Sequence, residues 1–255
     1  MIVGTAALAS LVGIGALLVG AAIAWRWDVS KRVTAGVMAF GAGVLIATLA
    51  LELVTEAHEA GGVWPVVIGF AGGALLYVGG DALVTRLAQR HRHPAQVPSG
   101  SRNATAKRGG DSPGGGAPIA VGALLDGIPE AIVIGLAAAS GGFPVAIVAA
   151  IGLSNVPEGL AGTVPLKRSG RGAGFVFGLW AGITALAVLA TVIAVLFLQG
   201  APGATIAVIQ SVAAGALLAM VCNAMIPEAF EQDHWATGLL ATAGFLVAFA
   251  LGELL

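Results

Sequence analysis

Three short segments of this chain set a glutamate directly after a proline, inside or at the end of long apolar runs: Asp126-Gly-Ile-Pro129-Glu130, Ser154-Asn155-Val-Pro157-Glu158 and Asn223-Ala-Met-Ile-Pro227-Glu228. On a helix Asp126 and Glu130 are four residues apart, so they share a face, one turn from each other. Ser154 and Glu158 repeat that spacing, and Asn155 stands three before the same glutamate. An ionised carboxylate in hydrocarbon is costly unless a cation or a partner compensates it. No Lys, Arg or His lies within the apolar runs, so a compensating positive charge has to come from outside the chain.

Every candidate ligand in the first two segments is an oxygen donor. Asp126, Glu130, Asn155 and Glu158, with Ser154 nearby, offer carboxylate, amide and hydroxyl groups. The prolines extend the set: each lacks the N–H that would bond the carbonyl four residues earlier, so Leu125, Leu153 and Asn223 each release a backbone oxygen. At membrane depth a released carbonyl must be satisfied, and a cation or water in a polar cavity can do that. Together these groups describe a site for a hard divalent cation. The structural alternative is a protonated or helix-bridging carboxyl that only holds the bundle together. It weighs most for Asn223 and Glu228, because Glu228 falls at a span end from which it can reach solvent.

The elements that must position these groups follow from composition. At 58% hydrophobic and 10% charged over 255 residues, the chain is far from a soluble domain. A helical crossing needs about 20 apolar residues. Such windows fall at 3–25, 33–54, 62–84, 118–139, 143–165, 173–198, 203–227 and 236–254, which predicts an all-α integral membrane protein with eight transmembrane helices. The first window lacks the charged lead and cleavage pattern of a signal peptide and reads as a retained helix. The 39 glycines allow helices to approach closely. One cysteine, Cys222, excludes an internal disulfide and a multi-thiolate metal site.

All 12 Lys and Arg fall in three connections: Arg26, Lys31 and Arg32; Arg86 to Arg108; and Lys167, Arg168 and Arg171. The positive-inside rule makes these cytoplasmic and puts both termini outside, in a multi-pass protein of the cell membrane. The Gly-, Pro-, Ser- and Arg-rich stretch 86–117 is expected to be a disordered basic loop between helices one to three (1–85) and helices four to eight (118–255). Flanking clusters admit two readings each. Glu52, Glu56, His58 and Glu59 form either a cation-attracting vestibule or a solvated helix end. Glu231, Asp233 and His234 follow the seventh span against the local charge trend, and His91 and His93 resemble a small metal-binding pair in a solvated loop.

The segments 126–131 and 154–161 resemble the paired Pro-Glu motifs on spans four and five of the ZIP family of divalent metal transporters, and Ile226-Pro227-Glu228 resembles that family's seventh helix. The likeness is specific from about Val121 onward and only architectural before it. It implies a 3+2+3 bundle, a metal site on spans four and five, and a homodimer. Glu130 and Glu158 match the family's metal-binding glutamates, Asp126 stands where a histidine usually ligates, and Ser154 where histidine or another polar ligand is common. Gly127 replaces a usual asparagine, and the sixth span has no ionisable residue near Ala181, where some members carry a bridging glutamate. These departures imply a single core ion. Loss of imidazole also weighs against zinc specificity, since carboxylate and carbonyl oxygen suit Mn, Mg or Ca; the expected cargo is zinc, manganese or iron.

The reading is therefore a carrier that moves a divalent metal toward the cytoplasm, with no catalytic activity, organic cofactor or nucleic-acid partner. With three ionised carboxylates the occupied site keeps one negative charge, which a proton would offset. Two other classes use the same oxygens: an intramembrane metal-dependent hydrolase, and a non-transporting metal sensor of the same fold.

Overall fold

The computed structural model describes residues 1–90, 116–231 and 235–254, and these are helical throughout apart from short connections. Among the described residues eight helices are long and apolar enough to cross a membrane. They are α1 (Ile2–Arg26), α2 (Lys31–Gly61), α3 (Val63–Arg90), α4 (Gly116–Ala139), α5 (Val145–Arg168), α6 (Ala173–Leu198), α7 (Gly203–Phe230) and α8 (Trp235–Leu254). Their outward faces carry Leu75 and Leu76 on α3, Phe197 on α6 and Leu239 on α8, large apolar side chains left exposed where lipid would lie. This is an all-α, multi-pass membrane protein.

Helix boundaries depart from the expected windows in two places. The second helix runs on to Gly61, beyond 54, through a π-helical turn at Leu49–Leu53, and Gly62 alone joins it to α3. That residue has φ +80°, a left-handed conformation that a side chain would strain. α3 and α4 also reach into the expected loop, to Arg90 and from Gly116, while the rest of that stretch lies outside the described residues.

Prolines are handled in two ways. Pro129 and Pro157 sit inside α4 and α5, and helix continues on both sides of each. In α7 a π turn at Val221–Met225 precedes Pro227, which then falls in the first turn of the following α segment, where an N–H is not needed.

Three helix pairs pack backbone to backbone: α1 with α5, α2 with α8, and α3 with α7. Each is closed by two glycines, one per helix, each facing a backbone carbonyl of the other helix. A Cβ on Gly20 would strike the carbonyl oxygen of Val156, and one on Gly159 that of Leu17. Gly43 and Gly244 do the same with Ala241 and Phe40, and Gly73 and Gly215 with Val212 and Phe70. Small residues let membrane helices gain van der Waals contact without any hydrophobic force between them. Against this frame α4 packs on α1, α3, α6 and α7, and meets α5 only sparingly.

Polar clasps fix the two ends. Lys167 Nζ on α5 lies 3.1 Å from Asp28 Oδ1 and donates to the Ala24 carbonyl at the end of α1, so the basic connections around 26–32 and 167–171 share one face. Near the opposite face Gln210 Nε2 on α7 donates to Glu56 Oε2 on α2 at 2.8 Å.

Candidate metal centre

α4 carries its two acids on adjacent turns, and both are deeply buried, Asp126 7% exposed and Glu130 1%. Their hydrogen bonds go to different neighbours. Tyr77 on α3 donates its hydroxyl to Asp126 Oδ1 at 2.9 Å. Asn155 on α5 donates Nδ2 to Glu130 Oε2, also at 2.9 Å. A carboxylate only accepts hydrogen bonds, so the Asn155 amide must turn its NH₂ toward Glu130, which keeps Oδ1 for another donor or a cation.

The second oxygen of Glu130, Oε1, is one of four buried side-chain oxygens without a hydrogen-bond partner among the described residues, the hydroxyls of Thr184 and Ser211 among them. An uncompensated carboxyl oxygen away from water is expensive, and such groups are rare in folded proteins. Beside it lie the amide of Asn155 and, one turn along α4, the carboxyl of Asp126. This donor set of oxygens suits a hard divalent cation.

The other expected ligands are placed less tightly. Ser154 is buried but donates its hydroxyl to the Ile151 carbonyl of its own helix at 2.9 Å, leaving only lone pairs for a ligand role. Glu158 is half-buried, one turn further along α5. Among the described residues no three His, Cys, Asp or Glu side chains gather closely enough to hold one ion. The spacing of Asp126, Glu130 and Glu158 predicts such a group; the structure divides it, because neighbouring turns of α4 face donors on α3 and on α5. In the third Pro-Glu segment Asn223 is half-buried in the π turn and Glu228 is exposed near the end of α7, while Met225 comes close to Pro157 and Ser154 of α5 around Gly41.

The flanking clusters also resolve unevenly. Glu56, His58 and Glu59 are exposed, yet Glu56 is engaged by the buried Gln210 and so does more than face solvent. Glu52 is half-buried and lines a cavity of about 130 Å³ between α2 and α8 with Glu253, Phe249 and Gly252. Glu231 is exposed, whereas His91, His93, Asp233 and His234 lie outside the described residues.

Tyr77 is the site residue that the motif reading passes over. The signal was present: it is the single tyrosine of the chain, it falls within an apolar run, and Asp81 follows it by one helical turn. Comparison with protein-family profiles and with curated proteins finds no match to this chain.

Proposed function

We propose that this protein carries a divalent metal cation across the membrane through the contact between α4 and α5, with Glu130 as principal ligand. The observation that carries the proposal is the partnerless Oε1 of Glu130 on a side chain 1% exposed. A bundle keeps such an oxygen when something positive visits it. Asn155 supplies an amide oxygen after rotating, Asp126 a second carboxylate from the next turn, and Ser154 and Glu158 auxiliary oxygens along α5. Asp126 and Glu130 together neutralise one divalent ion, which favours single occupancy at low dielectric.

The resemblance of 126–131 and 154–161 to the ZIP transporter motifs supports the same reading, as do the eight spans and the long segment after the third. Under the positive-inside rule the face bearing Arg26, Lys31 and Lys167 is cytoplasmic and the termini are outside; the resemblance adds inward transport and a homodimer in the cell membrane. Manganese suits the all-oxygen donors better than zinc.

A flux panel of Mn²⁺, Fe²⁺ and Zn²⁺ in proteoliposomes, comparing the native chain with Glu130→Ala, tests the proposal. Saturable flux of at least one metal, lost in the variant, is the expected result. Equal flux through both chains would remove the assignment.

A further inference from the structure

The bond between Tyr77 and Asp126 ties one oxygen of a candidate ligand to α3, and we propose that Tyr77 is a latch that sets the affinity of the site. The inference rests on the cation reading of Glu130 and adds a control element on a different helix. Tyr77 is 4% exposed and its partner Asp126 is 7% exposed, so water competes little for the hydrogen bond that joins them. α3 is well placed to hold it: a Cβ on Gly80 would lie 3.3 Å from Leu125 Cδ2, so the two helices are already in contact at this level.

Asp126 and Glu130 share a face of α4 one turn apart, a separation of about 5–6 Å between Cβ atoms. An ion at Glu130 Oε1 is therefore within reach of Asp126 once that side chain changes rotamer. In the latched arrangement Asp126 bonds to α3, and no three-acid group forms among the described residues. A cation that recruits Asp126 Oδ1 has to take it from Tyr77, and on release the hydroxyl takes it back. The latch thus weakens binding and speeds release, which a carrier needs more than it needs tight binding. Tyr77 touches no ion in this scheme; it positions Asp126.

The test uses the full chain in lipid nanodiscs with His91→Ala and His93→Ala, which removes the histidine pair between α3 and α4 as a competing ligand. Free Mn²⁺ is followed by its EPR signal, and Mn²⁺ uptake is measured on the same proteins in proteoliposomes. Tyr77→Phe deletes only the hydroxyl, and loss of a hydrogen bond to a charged group is expected to tighten Mn²⁺ binding by about tenfold. Uptake should show a lower KM together with a lower kcat, a split that simple destabilisation does not produce. In an Asp126→Ala background the same substitution should have a much smaller effect on Mn²⁺ binding, because the bond to Asp126 is gone.

Tyr77→Met, which also lacks the hydroxyl and repacks more freely, should act in the same direction if the phenylalanine variant folds poorly. Unchanged or weaker Mn²⁺ binding by the folded hydroxyl-less variants overturns the latch and leaves Tyr77 as an orienting partner. Failure of the underlying cation reading looks different: a chain that binds no Mn²⁺, or a Glu130→Ala variant that binds it as well as the native chain, removes the site itself.

Discussion

The contacts of α5 with α1 and with α4 are made in opposite ways. Toward α1, Gly20 and Gly159 let two backbones meet with no room for a side chain. Toward α4 the contact is sparse, and a buried hydrogen bond from Asn155 to Glu130 spans it. The first kind of contact recurs at α2–α8 and α3–α7 and builds the frame. The second keeps polar atoms at membrane depth and leaves Glu130 Oε1 without a partner. Stability and chemistry are thereby assigned to different faces of the same helix, so that a site costly to keep rests on a frame that does not depend on it.

The largest effect is expected from breaking the frame. Gly159→Leu drives a side chain into the Leu17 backbone, and Gly73→Leu does the same at Val212. Each should destabilise the bundle by about 3 kcal/mol, the upper range for overpacking. Loss of a monodisperse peak and a lowered thermal midpoint would register it; normal behaviour of both variants would show that the helices separate easily.

Next comes the site. Glu130→Ala should abolish saturable metal uptake while leaving the chain folded with only a modest change in thermal midpoint, since it removes the partnerless Oε1 but also the acceptor of the Asn155 hydrogen bond. The two substitutions thus separate the comparison: one destroys the fold and with it transport, the other transport alone. A smaller loss is expected from Asn155→Leu, about tenfold in apparent affinity, as a neutral ligand and the bridge to Glu130 disappear together. Glu158→Ala, at a half-buried position, should weaken uptake less than Glu130→Ala in the same assay.

The contrast between frame and site also marks where the sequence was readable. Hydropathy located all eight helices, because about 20 apolar residues are needed wherever a helix crosses. The i to i+4 spacing placed Asp126 and Glu130 on one face, and both are buried there. What spacing could not give is the rotation of each helix and the identity of its neighbour. Tyr77 lies 49 residues from Asp126 in sequence, and nothing in either segment names the other. Gly20 and Gly159 were legible as small residues but not as a pair. The π turns at Leu49–Leu53 and Val221–Met225 arise from tertiary packing that a 3.6-residue period does not encode, although Pro227 hinted at the second.

The smallest effect among the variants concerns selectivity. Asp126→His places an imidazole nitrogen next to Glu130 and should shift preference toward Zn²⁺ over Mn²⁺. Competition assays read this as a reversed metal ranking with uptake retained. An unchanged ranking would mean that Asp126 remains with α3 during transport and never reaches the ion.

The most direct measurement is an anomalous difference map from crystals of the His91→Ala, His93→Ala chain soaked in Mn²⁺. The account predicts one peak per chain in the core, about 2.2 Å from Glu130 Oε1, between α4 and α5. Two core peaks, or none beside Glu130 in a chain that transports Mn²⁺, would contradict it.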